Sequence, residues 1–230
     1  MSAIHLVRHG QASFGADDYD LLSALGERQS RLLGQAMAGV RPRIAHAVHG
    51  EMRRQRQTAE ACLGAMGGIA AAQVDPGWNE FDHMAVIVAL EPRFADRARM
   101  RAELMAQPDP RAAVQAVFEE AMARWVAGRH DADYPESWQA FRTRCRQALA
   151  RVAAALPADG DAIVFTSGGP IAAIAQDLLQ IPDAVGQRLS FGLVNCGVTK
   201  LVRGRDGVRL STLNGHAHFE GEHAGLVTYR

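Results

Sequence analysis

The sequence predicts a three-layer α/β fold: a mostly parallel central sheet with helices on both faces and an inserted helical segment. Three observations predict it. Short apolar runs with strand character recur along the chain, helical patterns separate them, and one stretch, Phe81 to Pro135, interrupts the alternation. Strands alternating with helices call for parallel pairing, because a parallel connection must cross over the sheet and the crossing helix then covers a face.

The first run is Ala3 to Val7, rich in apolar and β-branched residues and therefore a strand. A helical pattern follows from Ser23 to Met37, with Ser23 placed to accept from first-turn amides and Glu27 in the first turns. Ile44 to Val48 is the second strand and Met52 to Met66 the second helix. Residues 81–135 are rich in Ala, Met and Arg and contain no strong strand signal, so they read as a helical cap inserted in the domain. Phe94, Ala98 and Leu104, then Val114, Val117, Phe118 and Met122, recur at helical spacing, which is the pattern of a core-facing stripe. Helices over Pro110 to Val126 and Glu136 to Leu156 lead to a break at Asp159-Gly160. The strand Ala162 to Phe165, the helix Pro170 to Leu179, the strand Val198 to Val202 and the alternating run Val208 to Leu213 complete the order. No internal repeat is present, and 230 residues, 48% of them apolar, suffice for one domain, 1–230, with a sizeable core.

Composition narrows the function. Lys and Arg number 25 and so do Asp and Glu, and the longest basic run is Arg53-Arg54, so the electrostatic footprint of a nucleic-acid binder is missing. Cys62, Cys145 and Cys196 are too few and too widely spaced for a disulfide framework or a metal finger, which fits a reducing compartment. No signal peptide or membrane span is visible, and a cytoplasmic protein is expected, with no nucleic-acid or membrane partner.

In such sheets the catalytic groups collect at the carboxyl ends of strands. Three segments stand there. Arg8-His9-Gly10-Gln11 follows the first strand; Gly50 and a helix bearing Arg53, Arg54, Arg56 and Gln57-Thr58-Ala59 follow the second; Thr166-Ser167-Gly168-Gly169-Pro170 follows Phe165. Glycines at Gly168 and Gly169 let backbone amides approach an anion, and a glycine after His9 is expected to keep side chains out of its way. A guanidinium beside a neutral imidazole suits phosphoryl transfer to nitrogen, because Arg forks onto phosphoryl oxygens while the ring attacks phosphorus. The set reads as a phosphate pocket.

Leu6-Val7-Arg8-His9-Gly10-Gln11 resembles the signature of the histidine phosphatase superfamily, also called the phosphoglycerate mutase-like family. Arg54-Gln55-Arg56-Gln57-Thr58-Ala59 is similar to that family's Arg-x-x-Gln-Thr-Ala helix, and Trp78-Asn79-Glu80-Phe81 to the segment with its acidic residue. The resemblance implies a phosphatase that needs no metal and no cofactor, with a small phosphorylated substrate and with homodimer formation left open. It implies that His9 becomes phosphohistidine, that Arg8, Arg54 and Gly168 bind the phosphoryl group, and that Glu80 is the general acid, with Asp82 as its rival. The spacing to Gln57 selects Arg54 over Arg53, and Arg53 and Arg56 are expected on a solvated face.

The sequence departs from the family at Ser167, which stands where the second catalytic histidine is expected. A serine donates one hydrogen bond but brings no positive charge, so a slow enzyme or a phospho-ligand-binding protein follows. Ser167→His is expected to raise turnover unless the site has been rebuilt around serine. His216, His218 and His223 are candidates to fill the role, although plain surface histidines are the commoner reading; His216 and His218 with Glu220 or Glu222 are a weak metal pattern. At Gly50 the family often has serine, and the loss of a capping side chain is the only expected consequence. Ser167 does not fit a hydrolase elbow, since Phe165 stands where glycine is needed. Asp17, Asp18 and Asp20 read as a solvated loop, and Arg93, Arg97, Arg99 and Arg101 as a solvated helix face. Phe14-Gly15-Ala16-Asp17-Asp18-Tyr19-Asp20 replaces the Trp-Asn and Phe-Thr-Gly-Trp runs of glycolytic mutases, which favours hydrolysis over mutase chemistry.

Overall fold

The structure is a computed structural model and describes residues 2–13, 20–40, 43–68 and 71–229. Asp17, Asp18 and most of the Phe14 to Asp20 segment lie outside the described residues; Asp20 is within them.

Six strands form one sheet in the order β3-β2-β4-β1-β5-β6. β1 (Ser2–Arg8) and β4 (Asp161–Thr166) pair in parallel from Ile4 opposite Ala162 to Arg8 opposite Thr166. β2 (Ile44–His49) runs parallel to β4 on its other side, and the two-residue β3 (Gln73–Val74) adds a parallel edge. β5 (Val198–Gly204) and β6 (Gly207–Gly215) reverse direction: β5 is antiparallel to β1, and β6 returns antiparallel to β5. Gly207, at φ 107°, closes the hairpin in a backbone region that side chains disfavour. All five expected strands are present and the sheet is mostly parallel. β3 was not expected, since both its residues are exposed and it carries no apolar run.

Side-chain alternation along the strands divides the core. Ile4 and Leu6 of β1 with Ala162 and Val164 of β4 face one layer, joined by Trp78, Phe141, Ile171 and Ile174. Val7, Ile163 and Phe165 face the other, with Leu33, Ala59, Cys62 and Leu63. The first layer holds α6 (Trp138–Ala155) and α7 (Gly168–Leu179); the second holds α1 (Ala24–Val40) and α2 (Arg53–Ala65). α7 starts two residues before the expected Pro170, because a first-turn amide has no intrahelical acceptor and a proline there loses nothing.

Between Phe81 and Pro135 lie α3 (His83–Leu90), α4 (Arg97–Met105) and α5 (Pro110–Val126). Each opens on an aspartate, Asp82, Asp96 or Asp109, whose carboxylate accepts from first-turn amides. Val86, Ala121, Met122 and Trp125 join the same core as the sheet. Trp125 lies 4.8 Å from Phe81, 5.2 Å from Trp138 and 5.6 Å from Phe141, ring centre to ring centre, and so ties α5 to α6 and to the segment carrying Glu80. A short α8 (Asp183–Gly186) follows α7. Among the described residues no helix is long and apolar enough to cross a membrane.

Gly10 has a structural reason different from the expected one. A Cβ there would sit 2.5 Å from the Gly26 carbonyl oxygen, and a Cβ on Gly26 would sit 2.2 Å from that of Gln11, so the two glycines let α1 close on the loop after β1. Ser23 caps that helix as expected, accepting from Gly26 N at 3.0 Å. Gly26→Ala is expected to destabilise the protein by about 1–3 kcal/mol through backbone overlap. Gly39→Ala, exposed on the same helix with open space around it, should be neutral or stabilising by up to about 1 kcal/mol. Urea unfolding midpoints measure both; equal effects at the two positions would refute the packing argument.

Candidate active site

The carboxyl ends of β1, β2 and β4 lie side by side, and the ladder continues beyond them. His9 N donates to the Thr166 carbonyl at 2.9 Å and Gly50 N to that of Phe165 at 3.3 Å. The three segments picked out in the sequence therefore meet at one end of the sheet.

His9 is 5% exposed. Its Nδ1 lies 2.7 Å from the Gly10 carbonyl oxygen, which can only accept, so Nδ1 carries the proton. Nε2 then carries the ring's lone pair, which accepts from Arg54 Nε at 3.1 Å. Burial, followed by the charges of Arg54 and Arg8, holds the imidazole well below its usual value of 6.5. The ring is neutral, with Nδ1 protonated and Nε2 unprotonated. Its backbone is held in turn: Asn195 Nδ2 donates to His9 O at 2.9 Å, and Thr228 Oγ1 donates to Asn195 Oδ1 at 2.9 Å.

On α2 the buried positions Arg54, Gln55, Thr58, Ala59, Cys62 and Leu63 follow the helical repeat, while Arg53 and Arg56 face solvent as the spacing implied. Thr58 Oγ1 accepts from Gly10 N at 3.0 Å and donates to Arg54 O at 2.7 Å, which couples the helix to the His9 loop. α2 has no side-chain cap of its own. Asp20 supplies one from a distance: its Oδ2 accepts from Arg53 N at 2.8 Å and its Oδ1 from Arg54 Nη1 at 2.7 Å. The solvated-loop expectation for Asp20 is thereby corrected. Arg8 Nη1 donates to the carbonyls of Leu193 and Tyr229, which aims its guanidinium along the loop before β5.

Glu80 lies on the start of α7. Its Oε2 accepts from Gly169 N at 3.0 Å and its Oε1 from Phe81 N at 3.2 Å. A Cβ on Gly169 would sit 2.0 Å from Oε1, so this glycine is needed for the carboxyl to reach the helix terminus. Asp82 is occupied as the cap of α3, accepting from Ala85 N at 3.0 Å, and points to helix structure rather than acid chemistry.

Ser167 is fully buried and, like His9 and Arg54, is not among the residues that line the cavity described below. Gln55 Nε2 donates to its Oγ at 2.8 Å and to the Trp78 carbonyl at 3.1 Å. The Gln55 side chain also explains Gly50, because a Cβ there would sit 2.1 Å from Gln55 Oε1. Gly50 is a steric requirement of Gln55, not merely a missing cap.

A cavity of about 280 Å³ opens on Arg8, Glu80, His83 and Gly168, with Phe118 and Phe191 on its apolar side. Those two rings meet edge to face at 5.9 Å. The arginines of the α4 region lie elsewhere: Arg93 and Arg99 pair with Glu103, and Arg97 and Arg101 border a separate apolar groove with Met100 and Leu104. His218 does not line the cavity either; it packs 4.2 Å from Phe219 and bonds to the Cys196 backbone, and burial lowers it to about 4. His216 bonds to the Asn214 carbonyl and His223 approaches Glu222. Among the described residues no group of three or more His, Cys, Asp or Glu converges as a metal site would require. Sequence reading missed Asp20, Gln55, Asn195 and His83 as site residues. Of these only Gln55 carried a signal, since it lies on the inner face of α2 beside Arg54.

Residues 4–87 and 88–216 match the family described as the histidine phosphatase superfamily (branch 1). No curated protein matches the chain. Among solved structures it is similar to mycobacterial glucosyl-3-phosphoglycerate phosphatase, at 24% identity over 94% of this chain and 100% of that one, with a TM-score of 0.64. It is also similar to a phosphoserine phosphatase from Entamoeba histolytica, at 16% identity over 95% and 99% of the two chains and a TM-score of 0.64. A phosphoglycerate mutase from Bacillus anthracis gives 17% identity, 94% of each chain and a TM-score of 0.63. These likenesses establish the shared fold, and since the family match spans nearly the whole sequence, the chain belongs to branch 1 of the histidine phosphatase superfamily.

Proposed function

We propose that the protein hydrolyses small phosphomonoesters through a phosphohistidine at His9. The observation that carries this reading is the state of His9: a neutral ring, protonated on Nδ1, whose Nε2 faces the Arg54 guanidinium. In the first half reaction the Nε2 lone pair attacks phosphorus, the ester P–O bond breaks, and the protonated carboxyl of Glu80 gives its proton to the leaving oxygen. In the second, water attacks the phosphohistidine, loses a proton to Glu80, and the P–N electron pair returns to Nε2. Arg8 and Arg54 neutralise the phosphoryl oxygens, and the start of α7 at Gly168 adds backbone dipoles. Residues 81–135 serve as the cap in this reading, because α3 and α5 supply His83 and Phe118 to the cavity wall. Hydrolysis is preferred to a mutase reaction because Arg8 is the only arginine or lysine among the described cavity-lining residues, whereas Phe81, Phe118, Phe191 and Tyr229 make much of the lining aromatic. Such a lining suits a neutral organic group better than a second anion.

Rapid quench with labelled substrate should trap an acid-labile adduct on His9, and His9→Ala should leave no turnover. Because the folded imidazole is depressed, the nucleophile stays neutral below pH 6.5, and an acid limb assigned to His9 should lie well under that value. A His9 limb at or above 6.5, or an active His9→Ala variant, contradicts the mechanism.

Glu80→Gln should slow alkyl phosphates far more than nitrophenyl phosphate, whose leaving group needs little protonation. Equal slowing of both substrates removes Glu80 from the acid role.

Gln55 changes the expectation for Ser167→His. The added ring would enter a fully buried position with Gln55 Nε2 at 2.8 Å, so the variant should lose turnover and stability instead of gaining rate. Ser167→His with Gln55→Ala should recover part of the loss, a coupling that a double-mutant cycle measures. A faster Ser167→His single variant would show that the pocket is not built around the serine.

A further inference from the structure

We infer that His83 is a catalytic residue, its imidazole donating a hydrogen bond to an oxygen of the transferring phosphoryl group; this rests on the phosphatase reading above. His83 is the first residue of α3 and lines the cavity together with Arg8, Glu80 and Gly168. Its ring packs at a tilt against two aromatic neighbours, 4.2 Å from Phe81 and 5.8 Å from Phe118, centre to centre. That packing leaves the ring nitrogens as its polar groups, and among the described residues neither has a hydrogen-bond partner. The ring nitrogens are not among the buried polar atoms that lack a partner, so they are open to the cavity, where an acceptor oxygen of a bound phosphoryl group can replace water.

The neighbouring groups show why a donor is needed. Ser167 is buried, and its Oγ is already occupied as an acceptor from Gln55 Nε2. Glu80 is the acid for the leaving oxygen in the reading above, and its two oxygens are held by backbone amides, so the phosphoryl oxygens are left to other donors. His83 is close enough to the reacting groups to matter: Glu80, Arg54, Asp82 and Arg8 all act on it electrostatically, and a charge on His83 would depress His9 further. Burial keeps the His83 ring below its ordinary value, so it is neutral near pH 7 and still carries one N–H. A neutral donor stabilises phosphoryl charge without competing with Glu80 for the leaving group's proton.

The test compares the full chain with His83→Phe, which keeps the ring contacts and deletes the nitrogens, and His83→Gln, which restores a donor. His83→Phe should lower kcat about 100-fold, the usual effect of losing one such donor, with the same factor for nitrophenyl and alkyl phosphates. His83→Gln should recover part of it. Unchanged turnover in His83→Phe, or a loss confined to alkyl phosphates, overturns the assignment, the latter by making His83 a leaving-group acid. If His83→Phe does not fold, added imidazole decides with His83→Ala: restored turnover supports the role and no restoration overturns it. Failure of the underlying reading shows separately, as a parent protein that forms no phosphohistidine at His9.

Discussion

The site depends on the parallel pairing of β1 with β4. That register sets Arg8 opposite Thr166, and one further hydrogen bond, from His9 N to the Thr166 carbonyl, carries the ladder past the strand ends. His9 is therefore fixed by sheet geometry, and the start of α7 is fixed beside it. A slip of one residue would turn Ile4 and Leu6 out of one core layer and Val7 out of the other, so burial on both faces enforces the register. The catalytic end of the sheet inherits its precision from the core beneath it.

On that frame, two helix starts converge, and each is met by a carboxylate from elsewhere in the chain. Asp20 reaches the first turn of α2 and Glu80 the first turn of α7. Exposed first-turn amides and the helix dipole favour negative charge, so both places attract anions whether from the protein or from a phosphate. The arginines add to this field. Arg8 and Arg54 make a proton on His9 unfavourable, which keeps the lone pair available, and the same charges attract the group it would attack. In the proposed mechanism, the polarity that keeps His9 neutral is also the polarity that attracts the phosphoryl group.

Gly50, Gln55 and Ser167 are a second constraint. Gln55 fills the space between the other two, donating to Ser167 Oγ while its Oε1 occupies the volume a Cβ on residue 50 would need. Read singly, each position looks like a small loss: a missing cap, a polar residue on a buried helix face, a weakened oxyanion donor. Together they are one packing solution, in which an extended amide links α2, the Trp78 carbonyl and the start of α7. The two bonds from Gln55 Nε2 satisfy the donor side of this buried amide, while its Oε1 has no hydrogen-bond partner among the described residues.

The sequence by itself determined what short-range periodicity can encode. Short apolar runs located β1 and β4, alternation located β6, helical spacing located α5 to the residue, and the interval from Arg54 to Gln57 separated the buried arginine from Arg53 and Arg56. β3 escaped because two exposed residues bear no pattern, and Gly10 was assigned to the phosphate when Gly26 was its reason. Only the tertiary structure decided that Asp20 binds Arg54, that Gln55 occupies Ser167, that Asn195 holds His9, and that His83 faces the cavity while His218 does not. The physical reason is the distance along the chain: a residue's face follows from its neighbours within one turn or one strand, but the partner it meets there is brought by sheet order and core packing from tens to nearly two hundred residues away.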